Sequence, residues 1–329
     1  MAGAGRRWLS LPVPARIPAN DGHVTGTGEP RPPRRLTPFG PPNYAAGTPR
    51  FPLTEPDIVA LVYEGLEEDD AFNDITTIAT VVSTRRARAR LVAREAGVIA
   101  GVPLALAAFH LLDPGVEIRV DAEDGSPVTP DATVLFLSGH ARGLLSAERT
   151  ALNFLQHLSG IATLTRRYVD AVAGTGARIL DTRKTTPGWR RLQKYAVRCG
   201  GGVNHRFDLS SAVLIKDNHL AATDGDVAVA IRRAREHAGK PVQVEVECET
   251  AAQVQAAVGE RAEIVLLDNM SLDELRACVA IAKGKAVIEA SGGVGLDTVR
   301  AIAETGVDHI SVGALTHSAP ALNLALDFE

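Results

Sequence analysis

The first readable periodicity is TEPDIVALVYEGLEED, where Ile58, Leu61, Val62 and Leu66 recur at helical spacing and Thr54 stands ahead of Glu55 and Pro56 as an N-cap. Three shorter runs follow, ARARLVAREAGVIAG, VEIRVDAEDG and ATVLFLSGHA, with the apolar patterning of strands. Asp113-Pro114-Gly115 and Asp124-Gly125 supply turns between them, and Pro103 to Leu112 reads as an apolar helix. Together they make a small α+β domain ending near Gly143. From Ser146 onward, Leu152, Leu155, Leu158, Ile161, Leu164, Tyr168 and Val172 predict a long helix capped by Ser146 and Gly174, with Gly160 as a point of division.

The second half repeats a different pattern. Six short apolar runs each end on a polar or glycine position: ARILDTRK, AVLIKDN, QVEVEC, EIVLLDN, AVIEASGG and HISVGAL, with helical patterns between them. Lys216, Glu245, Asp268, Ser291 and Gly313 fall 29, 23, 23 and 22 residues apart, the repeat length of a strand plus a crossover helix. Such a series builds a parallel sheet, read here as a closed barrel whose chemistry sits at the C-terminal ends of its strands. The alternative is a doubly wound open sheet, against which stands the lack of a GxGxxG fingerprint in the first βα turn.

Composition narrows the picture. At 329 residues, 45% hydrophobic and 22% charged, the chain is long enough for about two domains with a sizeable core. Residues 1–52 hold 11 of the 19 prolines, scattered arginines and little apolar periodicity, so they are expected to form a disordered tail. That composition also permits an organelle transit peptide, although serine is nearly absent and the amphipathic pattern is missing. Three cysteines without a CxxC pair argue against both a disulfide framework and a zinc site. No apolar run approaches the roughly 18 residues of a membrane span, and the expectation is a cytoplasmic protein without a membrane partner.

The net charge of −4 offers no general field for nucleic acid. Yet Arg183, Lys184, Arg190, Arg191, Lys194, Arg198, Arg206 and Lys216 crowd around Gly200-Gly201-Gly202, which points to a small anion. Arg183-Lys184 and His205-Arg206 flank the glycines, so two basic pairs can meet in one pocket while the glycines let backbone approach a ligand such as a planar diacid. Lys216 could form a Schiff base or bind phosphate, and the surrounding arginines favour the anion. Glu245 and Asp268 are carboxylates inside apolar strands and need a cation, a metal or a salt bridge. Glu247 shares a face with Glu245, and one of the two is then a structural partner for Lys or Arg; the functional role is placed on Glu245. The turns at Ser291-Gly292-Gly293 and Val312-Gly313-Ala314 suit a phosphate. Arg149, read as lying in the first turn of the helix from Ser146, opposes the helix dipole and so should reach a carboxylate of protein or ligand. His157 and His219 read as structural.

These residues lie in longer strings: NDITT at 73–77, ERTALNFLQHLSGIAT at 148–163, DTRKTTPG at 181–188, KYAVRCGGGVNHR at 194–206, IKDNH at 215–219, LLDN at 266–269, ASGG at 290–293, and GVD followed by SVGALTH at 306–317. With them the chain from about Pro52 onward resembles the quinolinate phosphoribosyltransferase family. The resemblance implies an N-terminal α/β sandwich-like domain at 53–145, an incomplete (β/α) barrel at 146–316, and a segment at 317–329 packing back on the first domain. It implies that Arg183, His205 and Arg206 bind the two carboxylates of quinolinate beside Lys184, with Arg149 supplied across the interface of a homodimer or hexamer. Lys184 and Lys216 would hold the pyrophosphate of phosphoribosyl pyrophosphate (PRPP), Glu245 and Asp268 its ribose and a Mg2+ ion, and Ser291, Gly292 and Gly313 its 5′-phosphate. The products would be nicotinate mononucleotide, carbon dioxide and pyrophosphate. Trp189 and Ala290 depart from the family pattern. A phosphoribosyltransferase for another acid, a Schiff-base aldolase using Lys216, and a phosphate-binding protein without turnover are the rival readings.

Overall fold

The computed structural model describes residues 49–238 and 242–329, so the expectation for the proline-rich segment falls, but for residues 49–52, outside the described residues. Packing begins just before the expected boundary: Phe51 is buried, edge-on to Tyr195 with ring centroids 5.0 Å apart. Helix α1 (Glu55–Glu68) starts in a capping box between Thr54 and Asp57 and buries Ile58, Val62 and Leu66. A short 3-10 turn (Ala71–Asn73) and α2 (Ile75–Thr80) lead into β1 (Arg86–Ala93), β2 (Gly97–Val98), α3 (Val102–Leu112), β3 (Glu117–Val120), β4 (Pro127–Val128) and β5 (Thr133–His140). β1 pairs antiparallel with β5, and β5 with β3, while β2 and β4 form a separate pair.

Helix α4 (Ala141–Ala171) crosses from this domain into the next and corrects three expectations. It begins five residues before Ser146, which lies inside it and donates from its hydroxyl to Asp74 Oδ2 at 2.9 Å. Gly160 does not divide it. A Cβ there would sit 2.0 Å from the Pro320 carbonyl oxygen, so the glycine serves the close passage of the chain's last segment over an unbroken helix. Arg149 is then not in the first turn, and the dipole argument for it lapses.

The second domain runs β6 (Arg178–Leu180), α5 (Arg190–Cys199), β7 (Val213–Ile215), α6 (Asp217–Ala221), α7 (Val227–Ala238), β8 (Val244–Cys248), α8 (Ala251–Gly259), β9 (Ile264–Asp268), α9 (Leu272–Ala282), β10 (Val287–Ser291), α10 (Val299–Ala303), β11 (His309–Ser311) and α11 (Ala314–His317). Its strands stand in the order β6-β11-β10-β9-β8-β7, all parallel. Each step in sequence from β7 to β11 moves one place in the same direction, and β6 joins beside β11. A doubly wound sheet would instead reverse at a switch point. The ladder does not close between β6 and β7, where α5 and the glycine loop intervene and Val203 makes a single bridge to Leu180, so the barrel is open rather than closed. The last strand, β12 (Leu324–Phe328), returns to pair antiparallel with β1, giving the first sheet the order β12-β1-β5-β3.

Strand alternation sorts the barrel residues into two sets. Val244, Val246, Cys248, Val265, Leu267, Ile288, Ala290 and Ile310 belong to the hydrophobic core. Glu245, Glu247, Asp268, Glu289, Ser291, His309 and Ser311 occupy the alternate positions together with Ile264, Leu266 and Val287, so the inner face turns polar toward the C-terminal strand ends where filled barrels carry branched apolar side chains.

Candidate active site

A cavity of about 550 Å³ opens at the C-terminal strand ends. Its wall includes Asp268, Ser291 and Ser311, which end β9, β10 and β11, together with Lys216 directly after β7 and Thr182 to Lys184 after β6. His205, Arg206, Glu247, Asn269, Glu289, Gly292 and Gly293 complete the polar lining, and Leu214 and Leu266 are its apolar members. Of the sequence-derived set, Arg183, Lys184, His205, Arg206, Lys216, Asp268, Ser291 and Gly292 therefore meet in one cavity.

Lys216 and His205 have carboxylate partners, but no salt bridge to Arg183, Lys184 or Arg206 is seen among the described residues. The Nε atoms of Arg183 and Arg206 are buried and have no hydrogen-bond partner among the described residues. Arg206 keeps one contact, Nη1 to the Ala212 carbonyl at 2.9 Å. Burial, then the neighbouring Arg183 charge, pull its pKa down, the direction expected of cations awaiting a counter-ion. Lys184 is exposed, and its backbone is fixed by Thr182 Oγ1, which accepts from Lys184 N at 3.0 Å, and by Thr316 Oγ1, which donates to the Lys184 carbonyl at 2.8 Å.

The acidic side departs from the expectation. Glu245 does not line the cavity: it is buried, with Oε2 3.0 Å from His205 Nε2. Glu247, read as the structural partner, lines the cavity and accepts from Lys216 Nζ at 3.2 Å. The expectation that Glu245 rather than Glu247 stands at the cavity is corrected, because β8 turns both to one side and the one nearer the strand's C-terminal end is the one at the mouth. Lys216 is thus partnered by Glu247. Asp268 Oδ2 accepts from Asn269 Nδ2 at 2.6 Å, and Asn269 holds a left-handed φ of 54°. A Cβ on Gly292 (φ 92°) would lie 2.2 Å from Asn269 Oδ1, so the glycine lets the anion turn close over the end of β9.

Several predicted groups lie elsewhere. Lys194 is buried and paired with Asp181, whose carboxylate also accepts from His205 N at 2.9 Å and Asn204 Nδ2 at 2.5 Å. Arg190 braces loops through Thr185 Oγ1 and the Phe207 carbonyl, Arg191 reaches the Pro52 carbonyl, and Arg198 is exposed. The glycine run serves helix packing and not ligand approach: a Cβ on Gly200 would lie 2.4 Å from the Ala162 carbonyl of α4, and one on Gly202 would lie 2.7 Å from Val197. Gly313 packs under Lys184, whose Cδ would be 3.0 Å from an added Cβ. Arg149 is exposed on α4 beside the Asp69–Ile75 segment and outside the cavity. His157 contacts Gln193 Nε2 at 3.0 Å, and His219 Nδ1 accepts from Lys216 N at 2.9 Å. Trp189 stacks on Phe154, and Ala290 faces the core.

Glu289 was missed. The signal was available, since it is a carboxylate inside an apolar run two residues before Ser291, the same criterion that selected Glu245 and Asp268. It lies 3.7 Å from His205 Nε2, and desolvation followed by the Glu245 charge push its pKa up to about 7. Burial draws the His205 pKa down, but the Glu245 hydrogen bond and the Glu245 and Glu289 charges outweigh it and the net direction is upward.

An open parallel barrel whose strand ends bring Arg183, Lys184, Arg206 and Lys216 together with two acids and a Ser-Gly-Gly turn around one cavity defines the class of fold and site. Residues 74–159 match the family described as quinolinate phosphoribosyl transferase, N-terminal domain, and residues 161–327 match its C-terminal domain. The chain belongs to the quinolinate phosphoribosyltransferase family. It is 45% identical over 272 residues to the Mycobacterium leprae nicotinate-nucleotide pyrophosphorylase [carboxylating], covering 81% of this chain and 95% of that one. It is 37% identical over 292 residues to the mitochondrial quinolinate phosphoribosyltransferase [decarboxylating] 2a of Nicotiana tabacum, covering 83% and 82%. The solved nicotinate-nucleotide pyrophosphorylase of Francisella tularensis superposes with a TM-score of 0.79 at 40% identity, covering 86% of this chain and all of that one.

Proposed function

We propose that this chain transfers the phosphoribosyl group of PRPP to quinolinate with loss of carbon dioxide, giving nicotinate mononucleotide and pyrophosphate in NAD synthesis. The observation that carries the reading is that Arg183 and Arg206 line one cavity, each with a buried Nε that has no partner among the described residues. Two guanidiniums and Lys184 match a planar dicarboxylate, because each carboxylate can take two parallel N–H donors.

Lys184 and Lys216 are assigned to the pyrophosphate and the Ser291-Gly292-Gly293 turn to the 5′-phosphate. The ring nitrogen of quinolinate attacks the anomeric carbon as its bond to pyrophosphate breaks, and Glu247 and Asp268 face the positive charge that develops there. The quaternised ring then releases its 2-carboxylate; the electron pair stays on that carbon, stabilised by the adjacent positive nitrogen, and takes up a proton. Glu247 and Asp268 present hard oxygen donors at the cavity mouth, which fits Mg2+, and they replace the pair Glu245 and Asp268 as its holders. Bound there with PRPP, the ion would neutralise charge on the departing pyrophosphate. Arg149 is assigned to the neighbouring subunit's site in a homodimer or hexamer, in keeping with its exposure away from its own cavity. No described helix is long and apolar enough to cross a membrane. A cytoplasmic location is part of the same proposal.

The test is incubation with quinolinate, PRPP and Mg2+, following carbon dioxide and nicotinate mononucleotide together. Equal yields of both support the assignment; turnover of nicotinate but not quinolinate, or binding without turnover, refutes it.

A further inference from the structure

Glu289 stands in the middle of β10, fully buried; neither of its carboxyl oxygens meets full hydrogen-bond geometry with a described residue, and the Ser311 hydroxyl on β11 is its one polar neighbour besides the His205–Glu245 pair and Asp181. Burying an unpartnered carboxyl is costly, and an apolar side chain of the same length would fill the space at less cost, so packing does not account for it. What the carboxyl does have is a neighbour. His205 Nε2 lies 3.7 Å from Glu289 Oε1 and 3.0 Å from Glu245 Oε2, so the two acids bracket one edge of the ring. At the other edge, His205 Nδ1 accepts the backbone N–H of Arg206 at 2.8 Å. The orientation of this ring is therefore coupled to the peptide that carries Arg206. That peptide lies outside any strand or helix; its carbonyl end is held by Lys194 Nζ at 3.0 Å, and its N–H end by the His205 ring.

We propose that Glu289 is a positioning residue of the diacid pocket: with Glu245 it fixes the His205 imidazole, and through it the Arg206 backbone, in the orientation that presents the Arg206 guanidinium to the substrate. The inference rests on the assignment of this cavity to quinolinate. The same three side chains have the spacing of a metal site, all within 4.8 Å. With Nδ1 accepting from Arg206, however, the proton of the neutral ring resides on Nε2, the atom a metal would need as a lone pair. The arrangement is made for an N–H between carboxylates.

The test uses the full chain carrying Glu289→Met and, separately, Glu289→Gln, with thermal unfolding and steady-state kinetics for both substrates. In the Met variant the Tm should hold or rise by about 2 °C, because a desolvated carboxyl is removed. The KM for quinolinate should rise about tenfold, the scale of one hydrogen bond involving a charged group, while the KM for PRPP stays unchanged. Glu289→Gln keeps shape and a polar contact to His205, so it should recover part of the lost affinity. A fall in Tm with both KM values unchanged would assign Glu289 a structural role and overturn the proposal, as would an equal rise in both KM values. Should the Met variant fail to fold, the Gln variant decides by the same comparison of KM values. Wild-type protein measured alongside separates the two readings. Absence of quinolinate turnover in the wild type refutes the assigned reaction, whereas turnover in the wild type with unaltered KM values in both variants refutes only the role of Glu289.

Discussion

Lys194 and Asp181 offer the largest effect that a change outside the cavity should have. Lys194 is 1% exposed and Asp181 0%, so solvent screening does not discount their pairing. Burial drives both toward their neutral forms, raising Asp181 and lowering Lys194, and their mutual attraction opposes it. Lys194→Met keeps the length of the side chain but leaves the Asp181 carboxylate with only Asn204 Nδ2 and the His205 amide as donors. Removing one partner of a buried pair costs about 3–5 kcal/mol. At about 2 °C per kcal/mol for a chain of this size, the Tm should fall by about 6–10 °C. The pair also holds His205 in place, because Lys194 Nζ donates to the His205 carbonyl at 3.0 Å and Asp181 accepts its amide. The quinolinate KM should therefore rise as well. The double variant Lys194→Met/Asp181→Asn removes the stranded charge and should regain most of the lost stability, since a buried pair and a matched neutral replacement are often near equal. Thermal unfolding of wild type, Lys194→Met, Asp181→Asn and the double variant, followed by circular dichroism at one pH and concentration, reads the coupling. A double variant no more stable than Lys194→Met would show that the loss came from packing and refute the electrostatic account.

Gly292→Ala combines a φ of 92° with a Cβ 2.2 Å from Asn269 Oδ1, so PRPP binding should weaken by at least about tenfold while quinolinate binding is spared, as titration calorimetry with each ligand would reveal. Gly160→Ala would press a methyl into the Pro320 carbonyl; the expected loss is about 3 kcal/mol of stability, seen in the denaturation midpoint, with the cavity residues untouched. Asp113 accepts from His140 N at 2.7 Å and Gly115 N at 3.2 Å, and although burial alone raises its pKa, these bonds with the His140 side chain hold it below the ordinary carboxylate value. A depressed carboxylate stabilises above its ordinary pKa and loses that contribution as pH falls through the folded value. Asp113→Asn should therefore destabilise at neutral pH, and the gap to wild type should shrink toward about pH 3 in parallel melting curves.

The barrel was legible because its strands are short, apolar on the helix-facing side and spaced by one strand-helix unit, so β6 to β11 could be placed from Arg178, Val213, Val244, Ile264, Val287 and His309 onward. The openness between β6 and β7 was not legible from periodicity, since a missing ladder leaves no mark on either strand. Charge counting found the cationic wall but could not say that Lys194 is spent on Asp181, because the two lie 13 residues apart and meet only through α5. Glu245 and Glu247 share a face, and sequence alone carries no measure of depth along the strand axis; for want of that coordinate the wrong one was placed at the cavity. Glu289 was passed over because the eye stops at the Ser-Gly-Gly turn that follows it.

The return of β12 to β1 has a consequence for how the chain is made. Ala93 pairs with Leu324, 231 residues later, so at about 5–20 residues per second one edge of β1 waits about 10–50 s after its own synthesis for its partner. An unpaired strand edge invites other chains. β1 carries Arg86, Arg88 and Arg90 at alternate positions, with exposed or half-buried side chains, and a row of like charges on a waiting edge is of the kind that disfavours pairing with another chain before residues 324–328 arrive.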